Sequence, residues 1–369
     1  MMTVLWTALI IAGLVLALEL GSRLYHYFHF LTPFRAKIIS EYPYRSFAEK
    51  AEPPIFFRFK KSFHSPNLNI NRFGLRGPEP APDGDKKRVL VLGESDLFGP
   101  KLGREKDIWS VRLEGILRAK GYAHWEILNG GNPGYNVVQH RAFWEQELKK
   151  TRPDILILRL GGYNDISQAY VNGSKWEPGT PWPFEFILDL ERKSPWWQGL
   201  AGRSCLYFLL RRNLAESTTS QFKIVDDKFQ WERCKESIFE NQQAIIESAR
   251  EQGVRVALLS WAPAYELEMD MKNRRRITAL QANWEFFIES WGASQFEYFH
   301  DLAHKFSGEM GVPYINVAPG IRNHPRRFEL YYDLVHFNGK GYNVFAEALF
   351  EEIEKLGWWR SKESPETGG

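Results

Sequence analysis

A chain of 369 residues has room for one large α/β domain with additions or for two modest ones, because single cores stop growing near ~250–300 residues. Apolar residues at 44% and charged residues at 25% exclude a disordered polymer and predict a packed core. A net charge of +3 from 48 basic and 45 acidic side chains excludes a partnership driven by a polyanion such as nucleic acid, and two cysteines, Cys205 and Cys234, exclude a disulfide framework while leaving a single bridge open.

From Val4 to Leu18 the chain is apolar almost throughout, and no charged side chain precedes Glu19. That length approaches the ~20 residues that cross a bilayer. Glu19 and Arg23 follow at a helical i, i+4 spacing, and Tyr25, Tyr27, Phe28 and Phe30 supply a collar suited to the headgroup level. A cleaved signal peptide is the competing reading, but no Lys or Arg precedes the apolar run and no small-residue cleavage site follows it. The segment is therefore read as a retained single-pass anchor. Arg23, Arg35, Lys37 and Arg45 follow the span, which by the positive-inside rule would hold the domain in the cytoplasm. Large domains override that rule, and an extracytoplasmic domain is the expectation taken, with the facing side open.

Residues 32 to 87 are rich in Pro, Phe and charge and end in Pro78 to Asp85, which predicts a linker. Regular alternation begins at Arg88 to Leu92, a β-rich apolar run. Trp109, Leu113, Ile116 and Leu117 then give a helical period over Asp107 to Lys120, ended by Gly121. Trp125 to Leu128 reads as a second strand, Val137 to Lys150 as a helix, and Asp154 to Leu158 as a third strand. Glu240 to Glu251 reads as a helix, Val254 to Leu259 and Tyr314 to Val317 as strands, and Gly341 to Leu356 as a closing helix. Five strands alternating with helices imply an α/β fold with a mostly parallel sheet covered on both faces. Between Ser167 and Trp231 a Trp- and Pro-rich insertion breaks the pattern, either capping a site, resting on a membrane or extending the core. The runs Arg211-Arg212 and Arg274 to Arg276 read as solvated helix faces.

Four loops carry chemistry, and function in such sheets gathers at the carboxyl ends of strands. After the first strand, Gly93-Glu94-Ser95-Asp96 puts a serine on a strand-to-helix turn, where backbone N–H groups can face a developing oxyanion. Asn129 to Tyr135 follows the second strand with glycines that let backbone approach a ligand. Gly161 to Asp165 follows the third and brings the Asn164 amide, and Asp333 to Asn338 leads into the last helix. Taken alone, Asp333 and His336 would read as a surface pair with Asn338 capping that helix.

These four blocks, in this order, resemble the SGNH (GDSL-like) hydrolase family, over roughly residues 70 to 355. Asn71-Arg72-Phe73-Gly74-Leu75-Arg76-Gly77 resembles a segment found just ahead of the nucleophile strand in membrane-linked members. The resemblance implies a flavodoxin-like, three-layer α/β/α domain. It implies Ser95 as nucleophile, His336 as its base and Asp333 as the carboxylate that orients the base. It implies Ser95, Gly134 and Asn164 as the oxyanion donors. Glu94 departs from the family, which most often has Asp there. A serine hydroxyl needs an adjacent base of fixed tautomer to act as a nucleophile. The implied activity is ester hydrolysis through an acyl-enzyme on Ser95, on a small-molecule, lipid or carbohydrate ester. An O-acyltransferase using the same residues, or an inactive membrane-tethered binding protein, are the alternatives. Neither cofactor nor metal is expected, with Asp165 read as a turn residue, since no His or Cys cluster of ligand spacing accompanies it or Asp96. The sequon at Asn172-Gly173-Ser174 matters only in a secreted eukaryotic setting. The expected division is anchor and collar at 1–31, linker at 32–87, hydrolase domain at 88–357 with its insertion at about 167–231, and a disordered tail at 358–369.

Overall fold

A computed structural model describes residues 2–31, 34, 44–100, 104–160, 163–172, 177–180, 203–216, 228–280 and 292–360. Helix α1 (Met2–Phe30) comes first. Four short strands follow: β1 (Ala48–Lys50), β2 (Phe57–Phe59), β3 (Phe63–His64) and β4 (Asn69–Ile70). The main sheet is built from β5 (Lys87–Gly93), β6 (Trp125–Gly131), β7 (Ile155–Arg159), β8 (Arg255–Leu259) and β9 (Tyr314–Ile315). Its longer helices are α2 (Trp109–Ala119), α3 (Val137–Gln146), α4 (Tyr163–Asn172), α5 (Cys205–Glu216), α6 (Lys228–Glu251), α7 (Met271–Leu280) and α8 (Gly339–Lys355). The helix expected over Val137 to Lys150 ends at Gln146 and passes into a 3-10 turn at Leu148–Thr151.

The five strands run parallel in the order β6-β5-β7-β8-β9. Helices α2 and α8 pack together on one face, and α3 packs with α6 on the other. Val89, Leu90, Val91 and Leu92 of β5 are all fully buried, as a strand covered on both sides requires. The expected three-layer α/β/α architecture is thus the one found. The chain winds outward from β5 to β6 and then returns past β5 to β7. Loops leaving β5 and β7 consequently diverge and open a crevice at the carboxyl end of the sheet.

The segment expected to be a linker is packed from Phe47 onward. β1 pairs antiparallel with β2 and β3 with β4, and isolated bridges join Ile70 to Arg76 and Arg76 to Asn129 of β6. Phe47, Phe57 and Phe59 are buried. The Phe59 and Phe98 rings lie 5.0 Å apart, and Phe57 packs edge-on against Tyr135 at 4.9 Å. Proline and charge make the stretch read as a connection, yet every second aromatic of Phe57-Arg58-Phe59 falls on one face of a strand. Even Pro78 to Asp85 is tied down, since Arg72 donates to the carbonyls of Pro80 at 2.5 Å and Ala81 at 2.8 Å. Arg88 donates to Asp83 at 2.7 Å and to the buried Glu126 at 2.6 Å.

The far end also differs from expectation. Trp359 is completely buried; its carbonyl accepts from Trp125 Nε1 and its own Nε1 donates to the Phe350 carbonyl, both at 3.0 Å. Packing therefore extends through Trp359, and residues 361–369 lie outside those described. Most of the 167–231 insertion, with its four tryptophans, also lies outside them, as do Arg35, Lys37, Gly161, Gly162, Gly173 and Ser174. Cys205 and Cys234 are both buried and unpaired.

Helix α1 is long and apolar enough to cross a membrane. At ~1.5 Å per residue it extends about 43 Å, more than the ~30 Å hydrocarbon core. Its last turns join the rest of the protein through a buried stripe of Ser22, His26 and Phe30. Phe30, expected in the aromatic collar, instead packs inside at 1% exposure with the His26 ring 4.7 Å away, whereas Tyr25, Tyr27 and Phe28 are exposed. Arg23 and Glu19 pair at 2.7 Å. Glu19 also accepts from the Cys205 and Leu206 N–H groups at 2.9 and 3.1 Å and from the Ser204 hydroxyl at 2.7 Å. It thereby satisfies the orphan donors at the start of α5.

Candidate active site

Ser95 opens a four-residue helix, Ser95–Phe98, directly after β5. The carbonyls of this turn are satisfied from distant elements. Tyr342 of α8 donates to the Asp96 carbonyl. Trp109 Nε1 and Asn129 Nδ2 donate to that of Leu97 at 2.8 and 3.0 Å. Arg76, whose side chain is wholly buried, donates to those of Phe98 and Gly99 at 2.8 and 2.6 Å. Helix ends leave carbonyls without intrahelical partners, so these side chains complete the turn and hold it still. Gly131 ends β6 directly beneath it: a Cβ there would lie within 2.8 Å of Phe98 Cα and closer still to its nitrogen. Only glycine permits that approach.

Ser95 is half-buried between fully buried Glu94 and Asp96, so its hydroxyl is the part of the turn that faces outward. His336 Nε2 lies 2.9 Å from Ser95 Oγ. His336 Nδ1 lies 2.9 Å from both oxygens of Asp333. Asp333 Oδ1 accepts further from the Val335 and His336 N–H groups at 3.0 and 2.9 Å. The Asp333 and His336 side chains are each 17% exposed, which leaves them reachable from the crevice. Their loop is clamped at its base by a bridge between Tyr331 and Phe337 and by Ala264 N donating to the Leu334 carbonyl at 2.9 Å.

Asn164 lies in the first turn of α4, after β7. Its Nδ2 donates to the Tyr135 carbonyl at 2.9 Å, which spends one of its two amide hydrogens. Gly134 has φ +80°, a left-handed conformation natural to glycine. Its N–H and that of Ser95 meet no protein acceptor among the described residues. Glu94 Oε2 accepts from the Asn164 N–H at 3.0 Å, so the extra methylene relative to Asp joins the β5 and β7 loops directly. Asp165 accepts from the Val137 N–H with both oxygens, at 3.2 and 3.1 Å. It therefore braces the start of α3, where Asn136 and Gln139 form a reciprocal capping box. Burial, reinforced by Glu94, pushes the Asp165 carboxyl well above the usual carboxylate range. Among the described residues no group of three His, Cys, Asp or Glu could hold a metal ion.

Behind the turn, Asp96 pairs with Arg159 of β7, both almost fully buried. Burial raises the Asp96 carboxyl against the pull of Arg159 and His336. His140 of α3 is fully buried, and neither ring nitrogen has a partner among the described residues. Burial, then the Arg159 charge, lowers its pKa from 6.5 to about 3. The five residues expected at the site stand on four separate loops, after β5, β6 and β7 and ahead of α8, with the direct contacts running between Ser95, His336 and Asp333. Arg76, Trp109, Asn129 and Tyr342 were not anticipated. Of these, Arg76 had a signal in its place in the segment ahead of β5 and Asn129 in opening the loop after the second strand, while Trp109 was read only as part of a helical period.

Fold and site together define a three-layer α/β/α protein with a hydrogen-bonded Ser–His–Asp array at the switch point of its sheet. No protein-family model matches the sequence, and no curated protein matches it. Among solved structures, the chain is similar to the lipase/acylhydrolase from Enterococcus faecalis at 13% identity, TM-score 0.43, covering 73% of this chain and 96% of that one. A GDSL-like lipase from Bacteroides thetaiotaomicron is similar at 15% identity, TM-score 0.37, covering 74% and 91%. An acetyl xylan esterase from Geobacillus stearothermophilus is similar at 13% identity, TM-score 0.41, covering 73% and 95%.

Proposed function

We propose that the protein is a membrane-anchored serine esterase of the SGNH (GDSL-like) type, with Ser95 as nucleophile, His336 as general base and Asp333 orienting it. The observation that carries this reading is the unbroken hydrogen-bond chain from Ser95 Oγ through the His336 ring to Asp333. In the proposed reaction Ser95 Oγ bonds to the ester carbonyl carbon while its proton passes to His336 Nε2. The oxyanion is received by the Ser95 and Gly134 N–H groups and the second amide hydrogen of Asn164. Collapse breaks the carbonyl carbon–alkoxy bond, and His336 returns the proton to the departing alcohol. Water, deprotonated by the same ring, then adds to the acyl carbon; the bond from that carbon to Ser95 Oγ breaks, the acid leaves, and His336 returns the proton to Ser95 Oγ. Carbohydrate and lipid esters are the substrate classes proposed. The hydrolase unit is taken to begin at Tyr44, because the aromatic hairpin beneath the Ser95 turn supports it.

A fluorophosphonate probe offered to the full chain in neutral detergent should label the wild type and leave Ser95→Ala unlabelled at unchanged Tm. Turnover of p-nitrophenyl acetate by that variant should fall at least 10³-fold, in line with loss of a nucleophile. A folded wild type that neither labels nor turns over the ester would end the esterase reading in favour of a binding protein.

A further inference from the structure

Helix α1 ends beside a cavity of about 270 Å³ that Leu31 lines together with Arg276 of α7 and with Arg322, His324, Arg326 and Arg327. Its lining thus holds four arginines against one glutamate, Glu329. Arg276, expected on a solvated helix face, is half-buried and lines this cavity.

Two of these arginines are held in place and left with unused donors. Arg327 Nη1 donates to Glu266 at 2.5 Å, and its guanidinium lies 4.6 Å from the centre of the Phe328 ring. Arg322 Nη2 contacts His300 Nε2, and its guanidinium lies 5.5 Å from the centre of the Phe296 ring. His300 is pushed down to about 4 by burial and then by Arg322, so its ring is neutral and accepts. Yet Arg322 Nε and Arg327 Nη2 are both buried with no acceptor among the described residues. Burial also lowers the Arg322 pKa from its ordinary value, which marks a charge short of compensation. A buried charged donor left unmet costs on the order of 1–3 kcal/mol or more. Like charges gathered in one cavity add to that cost. An anion with several acceptor oxygens would relieve both.

We propose that this cavity is a binding site for a phosphate group, and that the phosphate is that of a membrane lipid at the foot of the anchor. Planar guanidinium forks suit phosphate oxygens bidentately. The lipid source follows from position. Exposed apolar side chains continue along α1 through Leu24, Tyr25, Tyr27 and Phe28, and lipid phosphates sit where such a surface ends. Leu31, which lines the cavity, is three residues beyond Phe28. Exposed Lys272, Arg274 and Arg275 on α7 extend the positive surface around it. The lipid half of the proposal rests on reading α1 as an anchor; the phosphate half does not, and neither depends on Ser95.

The test titrates the full chain in neutral detergent with dioctanoyl phosphatidylglycerol and, separately, with inorganic phosphate, reading Kd by native mass spectrometry. Arg276→Gln with Arg326→Gln removes two charges that have no side-chain partner among the described residues. Arg118→Gln with Lys120→Gln, on exposed α2 surface, removes two elsewhere. The lipid should bind at least tenfold more weakly to the cavity double variant than to wild type, at unchanged Tm, and equally to wild type and the control. Equal loss in both variants, or none in the cavity variant, would overturn the site. Inorganic phosphate binding as tightly as the lipid would keep the phosphate site and overturn the lipid source. Release of the chain into the soluble fraction by alkaline carbonate would remove the anchor, and with it the lipid source, while leaving phosphate binding to stand or fall on the titration.

Discussion

At the scale of single residues, the esterase reading turns on how Asp333 is held. Its Oδ1 receives two backbone N–H groups as well as the His336 ring, so the carboxylate does not rotate away from the imidazole. On the esterase reading, that arrangement keeps the proton on Nδ1 and leaves Nε2 to accept from Ser95. Asp333→Asn preserves the shape but supplies one acceptor oxygen and a competing donor, favouring the wrong tautomer. On the esterase reading its kcat on p-nitrophenyl acetate should fall about 10³–10⁴-fold with little change in KM. A loss smaller than tenfold would remove Asp333 from the array.

At the scale of elements, the Ser95 turn is a small piece of helix stabilised almost entirely by its surroundings. A four-residue helix has no stability of its own, and here Arg76, Trp109, Asn129 and Tyr342 hold its carbonyls while Gly131 lets β6 run beneath it. Gly131→Ala should cost about 1–3 kcal/mol through overpacking and displace Ser95. By contrast, Gly115→Ala, in the middle of α2 with open space where the Cβ would go, should gain about 0.5–1 kcal/mol. Urea melts of the two variants measure both signs. Strands β5 and β7 were legible as apolar runs closed by loops holding Gly93-Glu94-Ser95 and Gly161 to Asp165, which put Ser95 and Asn164 at one edge of the sheet, whereas His336 was singled out only by the family resemblance of the four blocks in order. The turn's supports were not legible. Trp109 and Tyr342 sit on helices whose periodicity announces only a buried face, and which carbonyl an indole or phenol reaches is decided by tertiary packing. Strands of two or three residues, such as β3 and β4, leave too short an alternation to detect.

At the scale of the whole molecule, stability should depend on pH through His140. Its folded pKa of about 3 lies below its ordinary 6.5, so between those values the unfolded chain takes up a proton that the folded chain refuses. Stability is therefore full above about pH 6.5 and declines as the pH falls, by about 1.4 kcal/mol per unit, or about 2 kcal/mol at pH 5. Urea melts of wild type and His140→Gln at pH 7 and pH 5 should show the wild type losing about 2 kcal/mol more than the variant; equal losses would mean the imidazole is not held neutral.

The aromatic hairpin under the Ser95 turn also imposes an order on synthesis. Phe47, Phe57 and Phe59 leave the ribosome before the residues that bury them. Phe98 comes about 40 residues after Phe59, and Tyr135 about 75. At ~5–20 residues per second the interval to Tyr135 is about 4–15 seconds. During that time three phenylalanines stand uncovered about 17 to 29 residues beyond the end of the apolar helix α1. The nascent chain should therefore be most prone to aggregation over this interval, which closes only after both β5 and β6 have been made.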